Sequence, residues 1–333
     1  MEKQWLRLDR VLPIALFIAL AILPRFVGSY WLHTLLYMLW IMYLCTAWNI
    51  SSLPGLFSIL PSLFLGCGAY ISTIMWLFWG ISPWIGLFAG AATGAIVALI
   101  VGWLSFRYKL PMITFAVFTL IICFVAEFIM LSVPIMGSTE GIALMYSGTN
   151  PAYFQFESKL PFYYIIFAFN IGAIFLVRYI LNSKIGIYFR AIHDNERVAA
   201  AAGVNVTRYK IIALVISGAL TAVGGAFWAQ YYRFISPHTF SPHFGIVLIL
   251  LTVIGGSRTL WGPVLGSVIL VPLGEVLKTQ FGEYFPGLNL IIYGVIIIAV
   301  LLTLRTGILP YLAERQQKRK AALAATSHSP GKG

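Results

Sequence analysis

Few side chains in this sequence could do chemistry, and their spacing limits what that chemistry is. Glu127 stands alone in an otherwise uncharged run from Leu110 to Thr139. A carboxylate at mid-bilayer costs about 2.5–3.5 kcal/mol on insertion scales, so such an acid is read by default as part of a transport path. The competing reading is an acid packed between helices or near the interface, protonated if need be. His238 and His243 flank Pro242 without a Cys or carboxylate beside them, which disfavours a metal site. Cys45, Cys67 and Cys123 each lie in an apolar run with no paired spacing, so neither a disulfide framework nor a zinc site is supported. No His-Glu-x-x-His pattern, phosphate-binding Gly-rich loop with Lys and Ser/Thr, or Ser/His/Asp grouping occurs. The chain is therefore read as no enzyme, with no catalytic residue, no metal site and no ATP site of its own.

The stretch Gly186–Lys210 is different: it is charged and helix-prone inside a chain that is otherwise mostly apolar. Asp194 or Asn195 can cap a helix by accepting an orphan backbone N–H. Glu196 then sits in the first turn, where the helix dipole favours an acid. Arg197 to Ala202 has high helix propensity, with four alanines in a row, and Gly203 suits the position after the helix end. Helices shorter than about 12 residues are marginal in water. A two-turn helix here needs a surface to lie on, and its alanines let that surface come close. The alternative is a solvated connector that happens to be helical.

The elements that must position these residues follow from composition. The chain has 333 residues, 60% hydrophobic and 10% charged, with a mean hydropathy of +0.90. From Phe26 to Phe106 there is no Asp, Glu, Lys or Arg. Only a bilayer accepts that, because a spanning helix needs about 20 apolar residues. The runs are continuous rather than alternating, which excludes a β-barrel. The fold class is an all-α polytopic membrane protein of about ten transmembrane helices, near 11–27, 31–50, 55–79, 84–106, 111–133, 161–181, 211–232, 244–257, 262–278 and 288–305. The eighth and ninth are short, as tilted or broken helices would be. Eight spans plus a re-entrant hairpin at 244–278 is the alternative count. The N-terminal Lys3, Arg7 and Arg10 precede an apolar run without a clear cleavage site, so the run is read as an uncleaved first span.

With the N-terminus placed in the cytoplasm, eighteen of the 22 Lys and Arg fall on inner segments; Arg25, Lys159, Arg233 and Lys278 fall outside. The positive-inside rule then places both termini in the cytoplasm. The same asymmetry explains the net charge of +12 without nucleic acid. The transmembrane body is taken as 1–313, with an inner loop at 182–210, an outer loop at 134–160 and a basic, disordered tail at 314–333.

Three blocks carry a resemblance. Arg190-Ala191-Ile192-His193-Asp194-Asn195-Glu196-Arg197 is followed by Ala199-Ala200 and Gly203-Val204-Asn205-Val206. Phe234-Ile235-Ser236-Pro237 is followed by Val253-Ile254-Gly255-Gly256 and Thr259-Leu260-Trp261-Gly262-Pro263-Val264. Gly55, Ser58, Phe64, Gly66, Gly68 and Tyr70 form a looser third block. The chain resembles the permease subunits of branched-chain amino acid ABC importers, LivM type. His193, Leu60, Pro61 and Arg258 depart from the usual residues of that family.

The resemblance implies a permease subunit of a binding-protein-dependent importer for branched-chain amino acids or related small polar organic solutes, in a bacterial inner membrane. It implies alternating access driven by separate ATPases, with ATP and Mg on those partners and no cofactor on this chain. The implied partners are a second homologous permease, two cytoplasmic ATPases, an extracytoplasmic solute-binding protein and the lipid bilayer. Arg190, Asp194, Asn195, Glu196, Arg197, Ala200 and Gly203 would form the ATPase-coupling loop. Ser58 and Phe64, with Glu127, would belong to the translocation path, and Gly255, Gly256, Gly262 and Pro263 to a structural turn. Similar permeases serve amino acids, urea, amides and aromatic acids, so the solute stays open. A stand-alone ion-coupled secondary transporter is the alternative reading, and an intramembrane enzyme is a third that lacks its residues.

Overall fold

The computed structural model describes residue 17, residues 19–144, 148–281 and 288–303, and residues 307–309, 311 and 315. The described chain is almost entirely helical: α1 Ser29–Ser52, α2 Pro61–Trp79, α3 Pro83–Arg107, α4 Met112–Ser132, α5 Leu160–Asn182, α6 Lys184–Asp194, α7 Glu196–Ala201, α8 Val206–Tyr232, α9 Pro242–Gly256, α10 Gly262–Phe281 and α11 Leu288–Thr303. Among the described residues, seven helices are long and apolar enough to cross a bilayer: α1, α2, α3, α4, α5, α8 and α10. α9 is apolar but shorter. Residues 11–16 and 18 of the expected segment 11–27 lie outside the described residues, as does the expected tail 314–333 apart from Arg315.

α1 runs through the centre, with 89% of its most apolar stretch buried; α4 lies at the edge, with only 22% buried. α2, α3 and α8 form one tightly packed unit, because glycines let their backbones touch. A Cβ at Gly68 would lie 1.9 Å from the carbonyl oxygen of Ala222, and one at Gly225 would lie 2.0 Å from that of Leu65. Gly94 and Gly218 bring α3 and α8 together in the same way. Small residues at such crossings replace the hydrophobic drive that lipid cannot supply.

One expected span is corrected. The segment 55–79 is not helical throughout: α2 begins only at Pro61, and residues 53–60 are a turn followed by irregular chain. Pro54 and Pro61 lack a backbone N–H, and Gly55 sits at φ +85°, so a helix cannot pass through them. The unwound backbone finds side-chain partners instead. Trp48 Nε1 donates to the Ser58 carbonyl at 2.9 Å, Ile59 N–H donates to Thr119 Oγ1 at 3.1 Å, and the Cys123 thiol reaches the Ile59 carbonyl at 3.2 Å. Non-helical backbone at membrane depth survives only when buried in protein like this.

The seventh segment also starts earlier than its hydropathy suggests. α8 begins at Val206, where Asn205 Oδ1 accepts the Arg208 N–H at 3.0 Å. Asn205-Val206-Thr207 is thus a helix start. At the end of the bundle remote from α7, Ile142 and Ala143 pair antiparallel with Ile235 and Phe234. This two-residue ladder ties the 134–160 loop to the chain that leaves α8.

Candidate functional site

The residues of the 182–210 loop come together at one end of the bundle. α6 is a further helix that hydropathy had folded into the loop. It packs Gly186, Phe189 and Ile192 inward and leaves Arg190 exposed. Its amphipathic pattern, apolar every third or fourth residue, was the available signal. α7 then follows as expected from propensity. The cap is Asn195, not Asp194, which ends α6: Asn195 Oδ1 accepts the N–H groups of Arg197 and Val198, both at 3.1 Å. Gly203 has φ +88°, the left-handed geometry that ends a helix without strain on a Cβ. Of α7, only Ala199 is buried; Glu196, Arg197, Val198, Ala200 and Ala201 face outward, Val198 at 63% exposure.

Two contacts fix α7 and the end of α6 before it to the bundle. Lys210 Nζ lies 2.6 Å from Glu196 Oε2, which ties the start of α7 to the first turns of α8. The His193 ring meets the guanidinium of Arg258. Arg258 sits on the α9–α10 turn at φ +65°, and Asn49 holds that turn from α1. The Asn49 amide donates to the Thr259 carbonyl at 2.8 Å and accepts the Arg258 N–H at 2.7 Å. Burial first, and the Arg258 charge second, hold the His193 pKa below the usual imidazole value, while Asp194 acts the other way. A neutral imidazole can accept from the guanidinium; a protonated one cannot. Between α7, the unwound segment and the ends of α3 and α4 lies a cavity of about 770 Å³, reached by Asp194, Glu196, Arg197 and Ala200.

The glycine-rich turn is built as its sequence suggests. α9 and α10 meet so closely that a Cβ at Gly255 would lie 1.9 Å from the Gly262 carbonyl oxygen, and one at Gly262 would lie 1.8 Å from that of Gly256. Gly256 is at φ +120° and Pro263 occupies the first turn of α10, where no N–H is needed.

The three residues expected on a path do not share one cavity. Ser58 is buried in the unwound segment and offers its carbonyl to Trp48. Phe64 is buried against Gly218 of α8 and belongs to the packed core. Glu127 is buried on α4 and lies 2.9 Å from His238 Nδ1, on the short 3-10 turn Pro237–Phe240. That turn is wedged between α2 and α4, with Phe240 filling the space left by Gly66. His238 in turn lines a second cavity at the far end of the bundle, about 410 Å³ in volume. Hydropathy missed Asn49; a lone amide inside an apolar span needs an internal partner, and that was its signal.

The sequence is similar to that of known transport permeases. Residues 30–301 match the family model described as branched-chain amino acid transport system / permease component. The chain is 25% identical to the high-affinity branched-chain amino acid transport system permease protein LivM of Salmonella typhimurium, over 46% of this chain and 34% of that protein. It is 26% identical to the probable branched-chain amino acid transport permease protein LivH of Methanocaldococcus jannaschii, over 73% of this chain and 78% of that one. It is 31% identical to the xylose/arabinose import permease protein XylH of Sulfolobus acidocaldarius, over 57% and 55%. The chain thus spans about a third of that LivM and about half of XylH. No solved structure matches. With most of its length matched, and with apolar helices of spanning length, the chain belongs to the branched-chain amino acid transport permease family.

Proposed function

We propose that this chain is the membrane-spanning permease subunit of a binding-protein-dependent ABC importer in a bacterial inner membrane, for branched-chain amino acids or related small polar organic solutes. A second homologous permease completes the pathway, and two cytoplasmic ATPases supply ATP and Mg. An extracytoplasmic binding protein delivers solute. The α7 end is cytoplasmic, as the eighteen-to-four division of Lys and Arg favours. The ten crossings are the seven long helices, the shorter α9 and α11, and the segment 11–27.

The observation that carries this reading is α7. It is a six-residue helix, far too short to be stable alone, capped at both ends and exposed on every face but that of Ala199. Its outer surface of Val198, Ala200 and Ala201 beside Glu196 and Arg197 suits a shallow protein groove. It joins α8 through only four residues, and α8 is locked by glycine contacts into the α2–α3 unit. A push on α7 therefore reaches the packed core directly. An ion-coupled carrier would need several ionisable groups in its core; Glu127 is the one buried carboxylate among the described residues, and His238 already engages it.

The test is crosslinking. A cysteine at Glu196 or Ala200 should crosslink to the ATPase subunit, with a yield that changes between nucleotide-free and ATP-bound states. No crosslink under turnover would overturn the reading.

A further inference from the structure

The end of α5 and the helix α6 that follows it form a basic corner. α5 shows one exposed stripe, made by Ile171, Phe175, Arg178, Tyr179 and Asn182 at helical spacing. Phe175 is 70% exposed. An apolar stripe of this kind on a spanning helix is met by lipid, and the tyrosine and arginine at its end mark the headgroup level. α6 cannot leave that level. Only Ser183 separates it from α5, and the Ser183 N–H and hydroxyl both donate to the Ile180 carbonyl, at 3.1 and 2.7 Å. Gly186 packs so tightly on the same turn that a Cβ there would lie 2.3 Å from the Ile180 carbonyl oxygen. α6 is therefore folded against the end of α5 instead of continuing it.

On α6, Gly186, Phe189 and Ile192 face the bundle. Lys184, Ile187 and Arg190 run along the exposed side at the same three-residue spacing, about 9 Å from first to last. Arg178, Lys184 and Arg190 thus gather at one corner, and among the described residues none of them forms an ion pair. The one acid of α6, Asp194, stands at its other end, and Glu196 beyond it is held by Lys210. Two partners carry the negative charge that this corner lacks: bilayer phosphates and an acidic protein surface. Continuity favours the first. The cations prolong the lipid-facing stripe of α5, and Ile187, 56% exposed, sits between two of them as residues of an interfacial helix do. α7 differs, with small side chains and both signs of charge. Resting on the reading above that this end faces the cytoplasm, we propose that the α5–α6 corner is a binding site for anionic phospholipid of the inner leaflet. Phosphates lie at Arg178, Lys184 and Arg190, and an acyl chain lies along Phe175 and Tyr179. Asn195 alone joins α6 to α7. A lipid that holds α6 therefore steadies the platform from which α7 projects, and the charge of the leaflet sets how firmly α7 is presented.

Native mass spectrometry of the purified full chain, from micelles containing phosphatidylglycerol or phosphatidylcholine, counts the lipid retained. Phosphatidylglycerol should be retained in preference. Arg178→Gln, Lys184→Gln and Arg190→Gln should each weaken its binding about fivefold, the weight of one basic residue at an anionic surface. Phosphatidylcholine retention and the unfolding midpoint should not move. Arg107→Gln, at the same end of the bundle on α3, should leave phosphatidylglycerol binding unchanged. The site is overturned if the two lipids are retained equally, if the three variants match the parent, or if Arg107→Gln weakens binding as much as they do, the mark of diffuse surface charge. In phosphatidylcholine vesicles holding the full importer, added phosphatidylglycerol should raise ATP-driven uptake by the parent and not by the variant combining all three substitutions. If that variant loses the Ala200 crosslink to the ATPase in vesicles without phosphatidylglycerol, the corner belongs to the ATPase and the lipid site falls. Selective lipid retention without ATP-driven uptake in either vesicle leaves the lipid site standing and removes the importer reading.

Discussion

Alanine at Gly68 and alanine at Gly172 should move the stability of this protein in opposite directions. At Gly68 the new Cβ would stand 1.9 Å from the Ala222 carbonyl oxygen and 2.5 Å from its carbonyl carbon. Carbon–oxygen contacts in proteins lie near 3.3–3.6 Å, so α2 and α8 must part by about 1.5 Å. Nothing nearby can absorb the shift, because the obstacle is backbone. Gly90 of α3 presses on Gly68 from another side, and Gly225 rests on the Leu65 carbonyl one turn away. Overpacking a core costs about 1–3 kcal/mol, occasionally more, and this site belongs at the upper end. Gly172 on α5 has nothing within 4 Å of its added Cβ. There alanine should gain about 0.5–1 kcal/mol from helix propensity alone. Equilibrium unfolding in nanodiscs, followed by tryptophan fluorescence, should separate the two variants by about 2–4 kcal/mol. On the proposed coupling through α7, ATP-driven uptake should fall in Gly68→Ala beyond what its folded fraction explains, since the α2–α3–α8 unit would carry the motion of α7. A Gly68→Ala protein within about 0.5 kcal/mol of the parent would falsify the close-packed account.

Three further outcomes follow from individual contacts. Asn195→Ala removes both cap bonds of α7 and should cost that helix about 1 kcal/mol; hydrogen exchange of 196–202 should speed up while α8 stays protected. His193 has a depressed pKa, so its neutral contact with Arg258 is complete above its unfolded value of about 6.5 and is lost as pH falls toward the folded value. Coupled ATPase activity should therefore drop on mild acidification, and His193→Gln should flatten that part of the profile; an unchanged profile would refute the contact's role. Glu127→Ala should release the Pro237–Phe240 turn from α4, so that a cysteine at Thr239 reacts faster with a polar thiol reagent; equal rates would mean that Phe240 alone holds the turn.

The sequence by itself determined a good deal. Uncharged runs of bilayer length fixed an all-α membrane chain, because no other fold hides so many uncharged residues from water. The α7 helix was legible almost to the residue, since caps, alanines and a terminal glycine act through bonds within one or two turns. Gly255, Gly256, Gly262 and Pro263 were legible as a turn for the same local reason. What the sequence left open is what depends on distant partners. The break at residues 53–60 is written in Pro54, Gly55 and Pro61, yet hydropathy averages over it, and only Trp48, Thr119 and Cys123 show how the unwound backbone is satisfied. Phe64 reads in the sequence as a path residue, and only the structure shows that its ring is buried against Gly218 of α8. Glu127 could be flagged as an anomaly, but its partner lies 111 positions away. The far-end cavity is lined by Trp40, Trp228 and Glu275, residues from three helices that meet only once the bundle is assembled. Local bonds are encoded locally; cavities and ion pairs are encoded in packing, and only the tertiary structure decides them.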